Sequence, residues 1–66
     1  MYINEFVEWE LDKFRKECNF DEEELQYFNL KAKNKSNVQI AEAMHVSESK
    51  VSALARKVKS KMKRVL

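Results

Sequence analysis

The chain has 66 residues, which is enough for one domain with one small hydrophobic core. Hydrophobic residues make up 44% of it and cysteine occurs once, so the composition excludes a disordered chain and an intramolecular disulfide. The net charge of +2 combines an acidic part, residues 1–30 with nine acidic and three basic groups, with a basic part, residues 31–66 with two acidic and ten basic groups.

The chain contains neither glycine nor proline, the residues that tight β-turns most often need. We therefore expect an all-α fold, a compact four-helix domain that spans residues 1–66. No apolar run approaches the length of a membrane span, and the single thiol of Cys18 suits a reducing compartment. A cytoplasmic protein is the expectation that follows.

The first predicted helix covers residues 3–18. Its apolar residues recur at helical spacings of three and four: Ile3, Val7, Leu11, Phe14 and Cys18. Phe6 and Trp9 widen the apolar surface beyond this stripe. Core packing explains such a face, and the alternative is that part of it pairs with a second copy of the chain in a homodimer.

The second predicted helix covers residues 21–33. Asp21 can cap its free amides, and Glu24 stands three residues later in the position of a capping-box partner. The stripe predicted to face inward is Leu25, Phe28 and Ala32, with Tyr27 and Leu30 on its flanks. Asn34 can end this helix in a left-handed conformation in a chain without glycine.

Two further helices are predicted at 36–44 and 47–65, joined by a tight turn. Ser36 and Gln39 form a second capping box, and Ser47 caps the last helix. The apolar positions of these two helices are Val38, Ile40, Ala41, Met44, Val51, Leu54, Ala55, Val58, Met62 and Val65. The opposite face of the last helix carries basic side chains and small side chains.

The segment KSNVQIAEAMHVSESKVSALARKVKSKM resembles the helix-turn-helix superfamily. More narrowly, it is similar to region four of bacterial sigma factors and to the LuxR/GerE-type DNA-binding domain, which share the pattern S-N/Y-x-x-I-A-x-x-L-x-I-S-x-x-T-V after an acidic helix like DEEELQYF. The resemblance covers residues 20–66. His45 departs from these families, which usually have glycine in the turn. The end of the chain at Leu66, before the last helix of a LuxR-type domain, favours sigma region four with an added acidic amino-terminal helix.

The resemblance implies a sequence-specific transcription regulator whose partner is double-stranded DNA, with the recognition helix 47–65 in the major groove. The residues that would read base edges are Ser49, Lys50, Ser52, Ala53 and Arg56. The residues that would contact phosphates are Lys31, Lys33, Lys35, Ser36, Asn37, Ser47 and Lys57. The basic second part of the chain agrees with this orientation toward a polyanion.

The alternative function is a protein-binding modulator or inhibitor, for example phage-encoded, that acts on RNA polymerase, a sigma factor or another nucleoprotein. Its contact surface would be the acidic first half with an exposed Trp9 or Tyr27, and the end of the last helix (Met62, Val65 and Leu66) is a second candidate interface for a homodimer. Catalysis is not expected, since one histidine and one cysteine form no acid–His–nucleophile arrangement. No residue cluster predicts a metal site or a cofactor.

Overall fold

The structure is a computed structural model that describes residues 3–66, except for the side chain of Asn4. This part of the chain contains no strand and forms a short 3₁₀ turn followed by four α-helices. The 3₁₀ turn is Ile3–Glu5, and the helices are α1 (Glu8–Glu17), α2 (Glu22–Ala32), α3 (Asn37–Met44) and α4 (Glu48–Val65). The predicted all-α four-helix fold is confirmed, and residues 1 and 2 of the predicted domain lie outside the described residues.

The first helix begins later than the predicted range 3–18. The 3₁₀ turn closes with the amide of Phe6 donating to the carbonyl oxygen of Ile3 at 3.2 Å, and the backbone is then extended at Val7, with φ −79° and ψ 166°. The carboxylate of Glu10 accepts a hydrogen bond from the amide of Val7 at 3.0 Å, which favours a new helix start here. The break turns Ile3 into the core and leaves Val7 52% exposed, outside the buried stripe in which its spacing placed it.

The other three helices begin beside the predicted caps. The carboxylate of Asp21 accepts from the amide of Glu24 at 2.8 Å, and the carboxylate of Glu24 accepts from the amide of Asp21 at 2.9 Å. Ser36 and Gln39 exchange the same two bonds at 3.2 and 2.9 Å. The hydroxyl of Ser47 accepts from a backbone amide in the first turn of α4 at 3.1 Å. Local side-chain chemistry therefore sets where these helices start.

Among the described residues, three adopt left-handed backbone conformations although none of them is glycine. Asn34 has φ 65° after α2 and His45 has φ 58° after α3, so both predicted turn positions are confirmed. Asn19, with φ 52° between α1 and α2, is a third such position that the sequence did not reveal. Asparagine and histidine enter this region more readily than most residues, which explains how a chain without glycine reverses direction three times.

The core forms where α4 packs against the other three helices. The predicted stripe of α4 supplies the buried side chains of Val51, Leu54, Val58 and Met62. The prediction for α2 is wrong in part, because Tyr27 and Phe28 are buried whereas Leu25 and Ala32 are only half-buried. Helix α2 contacts α3, α4 and the 3₁₀ turn, and these three neighbours cover a wider face than a single stripe.

Aromatic side chains connect α1 to α2. The ring of Phe14 lies edge-on to Phe6, with 5.0 Å between centroids, and to Phe28, with 6.3 Å between centroids. Arg15 lies 5.5 Å from the centroid of Phe28 and donates from Nε to Oδ1 of Asn29 at 2.9 Å. Helix α1 is thus held against α2 by edge-to-face ring contacts and one half-buried polar contact.

Candidate nucleic-acid interface

Helices α3 and α4 form a two-helix unit, residues 37–65, with a tight connection. The amide of Val46 donates to the carbonyl oxygen of Ala41 at 3.0 Å, and the amide of His45 donates to that of Glu42 at 3.3 Å. Ala41 is buried and small, so α3 can approach α4 closely. Of the predicted apolar positions on α3, Ile40 is also buried, whereas Val38 is exposed. The hydrogen-bonded turn and the close contact at Ala41 therefore set the orientation of α4 relative to α3.

The residues predicted to read bases do not all lie on the same face of α4. Ser49, Ser52 and Arg56 are exposed, and Ala53 beside them is half-buried. With 3.6 residues per turn, these four side chains follow one stripe of the helix. Lys50 lies about 100° around the helix from Ser49 and points toward α2 instead. The structure therefore groups four of the five predicted residues and separates Lys50.

Lys50 forms an ion pair with an acidic residue of α2. Its Nζ lies 3.3 Å from Oε1 of Glu23, and the two side chains are 41% and 51% exposed. The sequence predicted no pairing between these two residues. No periodic signal could have found it, because the two residues are far apart in the sequence and meet only when α2 packs on α4.

The part of α4 from Arg56 onward carries most of the exposed positive charge of this helix. Its exposed basic side chains are Arg56, Lys57, Lys59, Lys63 and Arg64. None of the five has an ion-pair partner within 4.0 Å among the described residues. The amide of Glu24 does most to lower the pKa of the Asp21 carboxylate, and the nearby charges of Lys61 and Lys57 lower this pKa further. The exposed surface of α4 from Arg56 onward, including the part beside the start of α2, is thus cationic.

Lys61, like Lys50, is a basic residue of α4 that forms an ion pair with α2. Its Nζ lies 2.5 Å from Oε1 of Glu24, which is 2% exposed, and it also donates to the carbonyl oxygen of Asn19 at 3.3 Å. Arg56, Lys57 and Lys61 are among the residues that line an open groove between the start of α2 and α4. The acidic and basic parts of the sequence therefore meet at this groove.

Most of the residues predicted to bind phosphate lie between the end of α2 and the start of α3, whereas Ser47 and the exposed Lys57 belong to the start and the middle of α4. Ser36 and Ser47 cap α3 and α4 through their oxygen atoms, which leaves each hydroxyl hydrogen able to donate. Asn37 accepts from Nζ of Lys31 at 3.4 Å, so this lysine already has a partner at the start of α3. Lys33 and Lys35 are exposed in the connection between α2 and α3. The free amides in the first turn of α3 add further donors beside them.

The surface of α1 around Trp9 is the predicted contact surface for a protein partner. Trp9 is 69% exposed, as predicted for a contact surface, and it lines a small groove with Phe6, Phe14 and Val65. The same prediction is wrong for Tyr27, which is 2% exposed because its ring packs in the core, and burial raises the pKa of its hydroxyl. Met62, predicted as a dimer contact, is also buried, while Val65 is half-buried and Leu66 exposed.

The remaining chemistry of the described residues is sparse. Cys18 is buried, and burial raises the pKa of its thiol, with a smaller rise from Glu17 and an opposing effect of Lys61. No group of three His, Cys, Asp or Glu side chains within residues 3–66 is placed to hold a metal ion. In the same part of the chain, no helix combines the length and apolar character needed to cross a bilayer.

Comparison of the chain with known protein families, with curated proteins and with solved structures gave no match.

Proposed function

We propose that the chain binds double-stranded DNA and reads its sequence, with α4 as the recognition helix of a helix-turn-helix. The observation that carries this proposal is the exposed stripe of α4, where Ser49, Ser52 and Arg56 lie on a two-helix unit with a hydrogen-bonded turn. Basic side chains without ion-pair partners among the described residues continue along the same helix. A stripe that is uncharged at Ser49 and Ser52 and cationic from Arg56 onward suits a helix that enters a groove between two phosphate backbones.

The dimensions of α4 support this assignment of its two halves. Its 18 residues correspond to a length of about 27 Å. The major groove is about 12 Å wide, which matches the diameter of an α-helix, and the amino-terminal residues of a recognition helix are the ones that contact base edges. Ser49, Ser52 and Ala53 are then the residues beside base edges, and Lys63 and Arg64 reach the flanking phosphates.

Arg56 is the residue that we expect to contribute most to sequence reading. Its guanidinium is exposed, has no carboxylate partner among the described residues and can donate two parallel hydrogen bonds to guanine. Ser49 and Ser52 accept or donate to several bases and so discriminate less, while the methyl group of Ala53 suits thymine. Phosphate contacts from Ser36, Asn37 and Ser47 would fix the register of the helix.

The biological role that follows is transcription regulation, in line with the resemblance of residues 20–66 to sigma region four. The test is selection of bound sites from a pool of random duplexes, followed by titration of the selected site. Arg56→Lys keeps the charge but loses the bidentate geometry, so it should bind random DNA like the wild type and lose preference for the selected site. Lys16→Ala, which removes an exposed charge on α1, is the matched control and should change neither affinity nor preference.

A second proposal concerns the surface around Trp9 and Val7, two exposed apolar side chains beside the acidic start of α1. A protein partner such as RNA polymerase, another transcription protein or a second copy of the chain would cover this surface. Sedimentation at high micromolar concentration tests the homodimer: a single monomeric species excludes it. Capture of a purified transcription protein by the wild type but not by Trp9→Ala would support the binding of that protein.

A further inference from the structure

We propose that Glu23 competes with DNA for the side chain of Lys50 and so reduces the affinity of the two-helix unit for DNA. This inference rests on the proposed function, because it concerns how strongly α4 binds DNA. The pair joins α2 to the first turn of α4, with 3.3 Å between Nζ of Lys50 and Oε1 of Glu23. Because Lys50 lies beside Ser49 in the first turn of α4, a DNA duplex in contact with α4 would bring phosphates within reach of the same ammonium group.

The position of Glu23 is fixed by its neighbours in the sequence. Asp21 and Glu24 exchange two hydrogen bonds around it, and Lys61 binds the buried carboxylate of Glu24 from α4. The start of α2 therefore cannot move away from α4 without breaking a buried contact. The backbone at Glu23 therefore stays beside the first turn of α4 in any complex that preserves the fold, and only the side-chain contact with Lys50 can be exchanged.

The position of Lys50 in α4 favours the binding of an anion to its ammonium group. It lies in the first turn of α4, where the positive end of the helix dipole disfavours a lysine. Glu23 offsets this unfavourable placement in the free protein. A DNA phosphate offsets it equally well, so the two anions are alternatives for one cation.

The Lys50–Glu23 ion pair is weak enough for DNA to displace Glu23 from Lys50. Both side chains are about half exposed, and pairs of this kind change an equilibrium constant by only about two- to fivefold. A charge-assisted contact with a phosphate or a guanine edge is stronger than this. Glu23 therefore adjusts the affinity by a modest factor and leaves Lys50 available for the bound state.

The test is a double-mutant cycle on DNA affinity. Glu23→Gln removes the competing charge, and Glu22→Gln is the matched control, since Glu22 is the adjacent exposed glutamate and has no ion pair among the described residues. Lys50→Met removes the shared cation in both backgrounds. Affinity for a random duplex is measured by fluorescence anisotropy at about 50 mM and at about 300 mM salt, where screening weakens exposed pairs.

We expect Glu23→Gln to tighten binding about two- to fivefold more than Glu22→Gln at the lower salt concentration. This difference should disappear in the Lys50→Met background and should shrink at the higher salt concentration. Equal effects of the two glutamine substitutions, or a difference that persists without Lys50, would overturn the inference while DNA binding itself stands. If the wild type bound no duplex at the lower salt concentration, the proposed function and this inference would both be wrong.

Discussion

Lys61 of α4 donates a hydrogen bond to the carboxylate of Glu24, which is buried at the start of α2. The same carboxylate oxygen accepts the amide of Asp21, and the same ammonium group reaches the carbonyl oxygen of Asn19. One ion pair thus connects the α1–α2 loop, the cap of α2 and the second half of α4. The acidic part of the sequence helps to hold the basic helix in place.

Removing either partner of this pair should destabilise the fold by different amounts. Lys61→Met leaves a buried carboxylate without its cation, and we expect a loss of about 2–3 kcal/mol, less than for a fully buried pair because Lys61 is 29% exposed. Glu24→Gln keeps an acceptor for the capping box, so about 1 kcal/mol is expected. Urea unfolding measures both, with Lys59→Met as a surface control expected within about 0.5 kcal/mol of the wild type. A larger loss for Glu24→Gln than for Lys61→Met would contradict this account.

Acid should weaken the fold through Asp21. The amide of Glu24, followed by the nearby charges of Lys61 and Lys57, holds the pKa of Asp21 below its ordinary value in the folded protein. A carboxyl group whose folded pKa is lowered stabilises the fold above the unfolded pKa, and this contribution is lost as the pH falls through the folded pKa.

Asp21→Asn tests this titration, because asparagine also caps helices and should change stability little at neutral pH. Urea midpoints measured from neutral pH down to strongly acidic pH should fall less steeply for Asp21→Asn than for the wild type. Glu22→Gln is the control for the general loss of carboxylate charge. Parallel pH profiles for the wild type and Asp21→Asn would show that the cap does not titrate as described.

The left-handed turn at His45 should be improved by glycine. With φ 58°, the side chain of His45 crowds its own backbone, whereas glycine adopts this conformation without that strain. We expect His45→Gly to raise the free energy of unfolding by about 1 kcal/mol and His45→Val, which is β-branched, to lower it by more than about 1 kcal/mol. Thermal unfolding of the two variants checks the order. A stabilised valine variant would mean that the turn is not held in this conformation.

Trp9 should contribute little to stability despite its size. Its side chain is largely exposed, so Trp9→Ala should change the free energy of unfolding by no more than about 0.5 kcal/mol. Phe14→Ala, on the same helix but buried between two other rings, should cost about 3–5 kcal/mol. If the tryptophan substitution were as costly as the phenylalanine one in urea unfolding, Trp9 would be part of the core and not of a contact surface.

The elements that the sequence predicted best are those decided by local chemistry. Asp21, Ser36 and Ser47 cap their helices because side-chain oxygens three residues from free amides need no tertiary partner. His45 and Asn34 end helices for an equally local reason. The buried stripe of α4 also follows from spacing alone, since one helix face meets all three neighbours.

The features that the sequence did not predict depend on tertiary contacts. Periodicity alone could not place the break at Val7, because the helix restarts only when Ile3 turns into the core. The burial of Glu24 and the pairing of Lys50 with Glu23 likewise require α2 to lie along α4. Of the predicted base-reading residues, Lys50 is therefore the one whose surroundings the sequence did not indicate.

The most direct test of the central proposal is the salt dependence of DNA binding by the wild type, measured by fluorescence anisotropy with the site selected from random duplexes. If α4 lies in the major groove with its basic half on the flanking phosphates, affinity should fall steeply and linearly on a log–log plot, with a slope of about −0.9 for each phosphate neutralised. Arg56→Lys should keep a similar slope while the advantage of the selected site over random DNA is lost. An absence of binding to any duplex at low salt concentration would contradict the proposal.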